Sequence, residues 1–180
     1  MNTSPMFAGL ASLLFLAISC STAPKTLDGR ADLETRSSIA LSRAKAADST
    51  INRVITDSDG YAVFPTIGKG AVGVGGAYGK GVLYEHGVVV GYCDMTQGSI
   101  GLQLGGQTYT EIVVFNNEDA LSDFKDGDFT FDAQATAVLV KSGAAANANF
   151  SRGVAVFTMD ASGLMFEAAI GGQTFGYQSK

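Results

Sequence analysis

The sequence has few of the residues from which enzymes and metalloproteins build their sites. It contains no tryptophan, one histidine, two cysteines and three prolines. The single histidine, His86, has no cysteine or histidine at ligand spacing around it, which excludes a usual zinc site. No G-x-S-x-G nucleophile motif occurs either. Because a nucleophile, a base and an orienting group cannot be assembled from these residues, we predict a protein that is not an enzyme and that has no cofactor.

Long apolar runs and positive charge are also scarce. The apolar run at residues 6–18 (MFAGLASLLFLAI) is shorter than the roughly 20 residues that a membrane-spanning helix needs, and it is typical of a signal sequence. The formal net charge is −5. This balance argues against a general nucleic-acid binder, so an anionic partner would have to be met by local basic patches.

Cys20 follows this apolar run and is the first candidate functional residue. Residues 17–20 (AISC) resemble a lipobox, the bacterial lipoprotein signal in which small residues precede a cysteine that is acylated and becomes the new N-terminus. Ala17 stands where leucine is usual, and the leading segment has no lysine or arginine. Cleavage after Ala23 is an alternative, but it would leave Pro24 just beyond the cut; a buried thiol in an uncleaved N-terminus is another.

Three parts are therefore predicted along the chain. Residues 1–19 are a lipoprotein signal peptide, residues 20–26 are an acylated cysteine with a short tether, and residues 27–180 form one domain. Cys93 is then the only other cysteine, so no intramolecular disulfide framework can be drawn. It lies in an apolar run and is predicted to be a buried strand thiol and not a nucleophile.

The domain begins with the only long segment that has helical periodicity, residues 27–56. Its apolar stripe, which is mostly alanine, comprises Ala40, Ala44, Ala47, Ile51, Val54 and Ile55. Alanine buries little area, so packing on a sheet is favoured over lying on a bilayer, although both arrangements remain open.

After Gly60 the sequence changes to short runs rich in Val, Ile, Tyr and Phe, punctuated by glycine, which makes up 23 of 180 residues. This texture predicts consecutive strands with tight turns. The predicted strands are residues 61–67, 71–78, 81–85, 88–94, 99–105, 108–115, 136–141, 153–160, 164–170 and 173–177. Only residues 117–124 give a helix signal among them, with Asn117 as the cap. The predicted fold class is α+β: an N-terminal amphipathic helix packed on a Gly-rich, mainly antiparallel β-sheet or barrel-like core with one short inserted helix.

Two motifs are interpreted as structural. Residues 68–73 (GKGAVG) fit G-x-G-x-x-G, but glycine and β-branched residues follow instead of a helix that could hold a pyrophosphate, so we predict a turn there. The acidic residues Asp123, Asp126, Asp128 and Asp132 do not have EF-hand spacing and are interpreted as a solvated loop.

Several motifs, in order, resemble the SYLF domain family over about residues 33–178. They are residues 62–65 (AVFP), 73–83 (GVGGAYGKGVL), 91–92 (GY), 98–107 (GSIGLQLGGQ) and 163–167 (GLMFE). The family includes bacterial exported proteins and eukaryotic proteins that bind phosphoinositides and associate with actin. The resemblance implies a non-enzymatic lipid-binding module, whereas actin contact would not transfer to an exported bacterial protein.

The resemblance also implies candidate lipid-binding residues, namely Lys69, Lys80 and Arg53. A lysine in a Gly-rich turn places a charge beside backbone N–H groups and could cradle a phosphate; the alternative is that Lys69 and Lys80 only solubilise two turns. The predicted partners are membrane lipid, the covalent acyl (palmitate) anchor and an envelope protein. Ser21, which is not aspartate, favours the periplasmic face of the outer membrane over the inner membrane. The alternative function is an envelope scaffold for which lipid is only the anchor.

Overall fold

A computed structural model describes residues 22–72, 74–100, 105–127, 138–160 and 172–180. The helices are α1 (Leu27–Ala47), α2 (Ile51–Thr56) and α3 (Glu118–Asp126), with one turn of 3-10 helix at Ala145–Asn147. The strands are β1 (Gly60–Val72), β2 (Val74–Glu85), β3 (Val88–Ile100), β4 (Gly105–Phe115), β5 (Val138–Leu139), β6 (Val154–Asp160) and β7 (Gln173–Ser179). These elements confirm the predicted α+β class.

The seven strands form one sheet in the order β5-β6-β4-β1-β2-β3-β7. All neighbouring pairs are antiparallel except β5 and β6. Helices α1 and α2 pack on one side of the sheet, here called the α1 face, and α3 packs on the other, the α3 face. Among the described strands the order is linear and ends at β5 and β7, so the sheet is open and is not closed into a barrel.

The sheet nevertheless curls strongly around its α3 face. Strands β4 and β7 are four strand spacings apart, about 19 Å along a flat sheet. The side chains of Glu111 on β4 and Gln173 on β7 nonetheless meet at 3.1 Å. Phe64 on β1 and Phe175 on β7 also have ring centroids only 5.8 Å apart. The α3 face is therefore concave, and its interior is filled by side chains from strands that are not hydrogen-bonded neighbours.

Helix α1 packs on the sheet, which decides between the two arrangements that the sequence left open. Thr26 caps it by accepting a hydrogen bond from the Gly29 amide at 3.1 Å. The residues that face the sheet and are buried are Leu33, Ser37, Ala40 and Ala44. Three of these four side chains are small, which favours close packing of the helix on the strands. Within the part of the chain that the structure describes, no helix has both the length and the apolar character needed to cross a membrane.

The predicted helix at residues 27–56 is wrong in one respect, because it is broken after Ala47. Asp48 leaves the helix and its buried carboxylate accepts four hydrogen bonds. The donors are the Thr50 amide at 2.9 Å, the Thr50 hydroxyl at 2.6 Å, the Gly143 amide at 3.0 Å and the Ala145 amide at 2.7 Å. The break thus joins the helical layer to the segment that follows β5.

The turn predicted at residues 68–73 is also wrong over its described part. Gly68 and Gly70 lie inside β1 and pair with β2 on one side and β4 on the other. The predicted strand at residues 71–78 consequently covers the end of one strand and the start of the next. Gly68 and Gly70 are therefore part of a long central strand and not of a turn that reverses the chain. The hairpin predicted at His86 and Gly87 is confirmed, since both residues have positive φ, 47° and 81°.

The inserted helix is confirmed as α3. Asn117 caps it by accepting from the Ala120 amide at 2.8 Å, and the helix ends at Gly127, whose φ is 77°. It runs two residues beyond the predicted end. The predicted strand at residues 164–170 and most of that at residues 99–105 lie outside the described residues, as do Asp128 and Asp132 of the acidic cluster.

Candidate functional site

The described chain begins at Thr22, two residues after the predicted lipidation site Cys20, which itself lies outside the described residues. Thr22 is held by strand β2. The Lys80 ammonium donates a 3.0 Å hydrogen bond to the Thr22 carbonyl oxygen. Residue 22, in the predicted short tether, therefore has a fixed place on the domain.

The next two residues are held in the same way. Ala23 is 1% exposed, and its amide donates to the Gln178 side-chain oxygen at 3.3 Å. The Arg30 guanidinium donates to the Pro24 carbonyl at 3.1 Å. We call the surface formed by Lys80, Gln178 and Arg30, which holds residues 22–24, the tether dock.

Gly176 makes room for this segment. Lys80, Asp94 and Gly176 are successive register partners on β2, β3 and β7. A Cβ at Gly176 would lie 2.7 Å from Asp94 Oδ1 and 3.2 Å from Thr22 Oγ1. A side chain at this position would force the Asp94 carboxylate and the Thr22 hydroxyl to move, so glycine favours the close approach of the tether here.

A polar cluster continues the dock toward α1. The Tyr92 hydroxyl donates to Glu34 Oε1 at 2.6 Å, and the Lys180 ammonium donates to the same oxygen at 2.9 Å. The Arg30 guanidinium carbon lies 5.2 Å from the centroid of the Tyr92 ring. A cation and an aromatic ring at this separation attract each other, so the cluster ties α1 to β3 and to the C-terminus.

The protonation states of Glu34 and Tyr92 agree with a structural role for this cluster. The hydrogen bond from Tyr92, followed by that from Lys180, lowers the pKa of Glu34 despite some desolvation. Burial, with help from Glu34, raises the pKa of Tyr92 to about 12. At neutral pH the carboxylate is ionised and the phenol is neutral, and neither is set up for proton transfer.

The three candidate lipid-binding residues do not converge on one place. Lys69 is in β1 beside Ala77 on the α3 face, whereas Lys80 is in β2 on the α1 face. Both lysines lie inside strands, so the proposed cradle in a Gly-rich turn is wrong for each of them. Arg53 is exposed on α2. Lys69 and Lys80 cannot bind one phosphate together.

His86 and Cys93 were the two residues considered for catalysis, and they lie at an exposed turn and in the buried core, respectively. His86 is exposed at the tip of the hairpin between β2 and β3. Cys93 is fully buried in β3, and desolvation raises the pKa of its thiol well above the ordinary value. In the described ranges no group of three His, Cys, Asp or Glu side chains could hold a metal ion.

Sequence reasoning missed one buried polar pair, Glu111 and Gln173, both 0% exposed. Gln173 Nε2 donates to Glu111 Oε2 at 3.1 Å. Burial raises the pKa of Glu111 to about 7, although Gln173 opposes the shift. A signal was present, because Glu111 is the only charged residue in the strand predicted at residues 108–115, and that strand is otherwise suited to a core.

The described residues form an open α+β domain with a docked N-terminal segment. Residues 96–179 match the family model Ysc84, described as Las17-binding protein actin regulator. The predicted resemblance to the SYLF family is thereby confirmed over this part of the chain, just under half of its length. This is a family of binding domains and not of enzymes. No curated protein matches the chain.

Proposed function

We propose that the chain is the non-enzymatic lipid-binding domain of an exported lipoprotein, held in the bacterial envelope by an acylated Cys20 and recognising phospholipid or another envelope amphiphile. The observation that carries the proposal is the fixed position of Thr22. Two residues span at most about 7 Å, so acyl chains on Cys20 would hold the tether dock against the bilayer surface. The family match over residues 96–179 supports a binding role.

The surface beside the tether dock has groups that suit a lipid headgroup region. Lys25 and Lys180 are exposed, and Leu27 at the start of α1 is 82% exposed. The Lys180 ammonium is bound to Glu34, but the Lys25 ammonium and the exposed Leu27 side chain, two positions apart, can meet a headgroup phosphate and the upper acyl region together. Because two acyl chains already give stable attachment, lipid binding by the domain would serve recognition or transport.

The anchor is tested by the intact mass of the full chain extracted from bacterial membranes. The expected mass is that of a chain beginning at Cys20 with added acyl groups. A Cys20→Ala chain should lack this mass and be left uncut before residue 20. An N-terminus elsewhere, or no added mass, contradicts the anchor. Separation of inner and outer membranes then tests the expected outer-membrane location.

Lipid binding is tested separately on residues 21–180, after far-UV circular dichroism has shown that this fragment is folded. It should float with vesicles of phosphatidylglycerol or phosphatidylethanolamine. Lys25→Glu should reduce flotation with the anionic vesicles, whereas Lys69→Glu on the α3 face should not. Loss of binding only in Lys69→Glu would move the lipid site to that face, and no flotation with either lipid would rule out lipid binding.

One observation favours a scaffold as the second candidate. Strand β7 ends the sheet among the described strands, so one of its edges has backbone groups that could pair with a strand from another protein. Cross-linking in intact cells at the exposed Ser179 would capture such a partner. A partner retained by a lipid-binding-deficient variant would favour scaffolding.

A further inference from the structure

Glu111 and Gln173 join two strands that are not neighbours in the sheet. Between β4 and β7 lie β1, β2 and β3. The hydrogen bond from Gln173 Nε2 to Glu111 Oε2, 3.1 Å long, crosses the concave α3 face. This pair is thus placed to hold β7, at the edge of the sheet, against β4.

The pair is incomplete if Glu111 is ionised. Glu111 Oε1 and Gln173 Oε1 are both buried and neither has a hydrogen-bond partner. Two buried acceptors without a donor are costly, and a buried carboxylate with a single hydrogen bond is more so. A carboxylic acid has an O–H group to donate. An acid and an amide that share one N–H···O bond can close a second, O–H···O, bond between their remaining oxygens.

The surroundings favour the acid. The register partners of Glu111 are Phe64 on β1 and Thr158 on β6, neither of which carries a charge. Phe175 follows Gln173 on β7, and Phe124 of α3 packs on Phe175 at 5.3 Å between ring centroids.

Among the described residues, Tyr109 is the titratable group that interacts electrostatically with Glu111. It precedes Glu111 by two positions on the same strand. Burial, followed by the nearby carboxyl, raises its pKa, although Gln173 opposes the shift, so Tyr109 stays neutral. No cation of the described residues counters the burial of Glu111, so desolvation raises its pKa from 4.5 to about 7, although Gln173 opposes the shift.

We propose that Glu111 and Gln173 form a proton-dependent latch between β4 and β7, in which the protonated acid makes two hydrogen bonds to the amide and loss of the proton frees the edge strand.

The latch acts on the tether dock, because β7 also carries Gly176 and Gln178. Gly176 makes room for Thr22, and Gln178 accepts the hydrogen bond from Ala23. When Glu111 ionises, one of the two hydrogen bonds between Glu111 and Gln173 is lost, and two oxygens with negative charge density face each other. The edge strand and the docked segment should then open more often above neutral pH than below it.

The direct test is infrared spectroscopy of the full chain with and without Glu111→Gln, which keeps the shape of the side chain and cannot ionise. We expect a protonated-carboxyl C=O band at pH 6 that disappears by about pH 8 in the unmodified protein. The band should be absent from Glu111→Gln and present in Asp123→Asn, the control at an exposed carboxylate on α3. Absence of the band from the unmodified protein at pH 6 overturns the proposal.

Hydrogen exchange tests the mechanical consequence. After correction for intrinsic exchange, protection of the β7 amides should fall by up to about tenfold between pH 6 and pH 8 in the unmodified protein and in Asp123→Asn. Protection in Glu111→Gln should not change with pH in this range. The same fall in Glu111→Gln, or no fall in the unmodified protein, contradicts the latch.

A second variant keeps the proposal testable if Glu111→Gln does not fold. Gln173→Met removes the amide but leaves the acid buried, so the carboxyl band should move to the higher frequency of an acid with fewer hydrogen bonds. An unchanged band would show that Gln173 is not its partner and would overturn the latch.

Discussion

The ammonium group of Lys80 lies 3.0 Å from the carbonyl oxygen of Thr22 and donates a hydrogen bond to it. The two residues are 58 positions apart, so the contact closes a long loop that contains α1, α2 and β1. Lys80 therefore has a defined task in the folded chain, which is to hold the segment that follows the predicted lipidation site.

Substitution of Lys80 by methionine should release this segment. The stem of the side chain is kept, but the charged donor is lost, and a hydrogen bond from a charged group contributes about 1.5–3 kcal/mol. Hydrogen exchange of a peptide covering residues 22–30 should become about tenfold faster. Lys69→Met is the matched control on the other face of the sheet and should leave this peptide unchanged. Equal exchange in both variants would mean that Lys80 does not hold the tether.

We expect the Asp48 carboxylate, which lies outside the sheet, to contribute strongly to the free energy of unfolding. Asp48→Ala leaves the amides of Gly143 and Ala145 and the Thr50 side chain without their acceptor. We expect a loss of about 3 kcal/mol in the free energy of unfolding, measured by urea denaturation. Asp57→Ala, at an exposed carboxylate after α2, should change it by less than about 0.5 kcal/mol.

The same carboxylate predicts a pH dependence. Burial tends to raise the pKa of Asp48, but the hydrogen bonds from Thr50, Ala145 and Gly143 outweigh it and the net pKa is lowered from 3.8. A lowered folded pKa stabilises the protein fully above the unfolded pKa, and this contribution is lost as the pH falls through the folded value. Asp48→Asn should therefore flatten the loss of stability below about pH 4. An acid limb as steep as that of the unmodified chain would assign the effect to other carboxylates.

Features that depend on residues close together in the sequence could be predicted, whereas features that depend on distant residues could not. The hairpin at His86 and Gly87 depends on local backbone conformation, and it was predicted correctly. The break at Asp48 depends on Gly143 and Ala145, which are 95 and 97 residues away. No local pattern could reveal partners at that distance, so one continuous helix was expected.

The candidate site was harder to predict for a related reason. Glycine on both sides of Lys69 suggested a turn, but pairing of β1 with strands on both sides overrides this local preference. Lys69 and Lys80 were grouped by their similar surroundings in the sequence. Strand alternation places them on opposite faces once the true register is known. The Glu111–Gln173 pair arises only because the sheet curls, which the predicted strands did not specify.

Glycine in the sheet should have effects that depend on position. A Cβ at Gly81 would lie 2.8 Å from Phe64 Cδ1 and 2.8 Å from the Val63 carbonyl oxygen, whereas a Cβ at Gly68 would meet nothing within 4 Å. Gly81→Ala should cost about 2–3 kcal/mol in the free energy of unfolding because backbone must move. Gly68→Ala should be neutral or slightly stabilising, since glycine weakens a strand interior. Equal costs would show that Phe64 does not fill the space above Gly81.

Cys93 should be inert in the folded protein. The thiolate is the reactive form of cysteine, and burial in β3, with a smaller effect of Asp94, raises the pKa of its thiol. In a full chain carrying Cys20→Ala, Cys93 should not react with a water-soluble disulfide reagent at pH 8 until denaturant is added, and it should then react completely. The same chain with Val88→Cys, at a position that is 65% exposed, is the control in which the introduced thiol reacts at once. If Cys93 reacts as fast as that introduced thiol without denaturant, β3 is not held in the core.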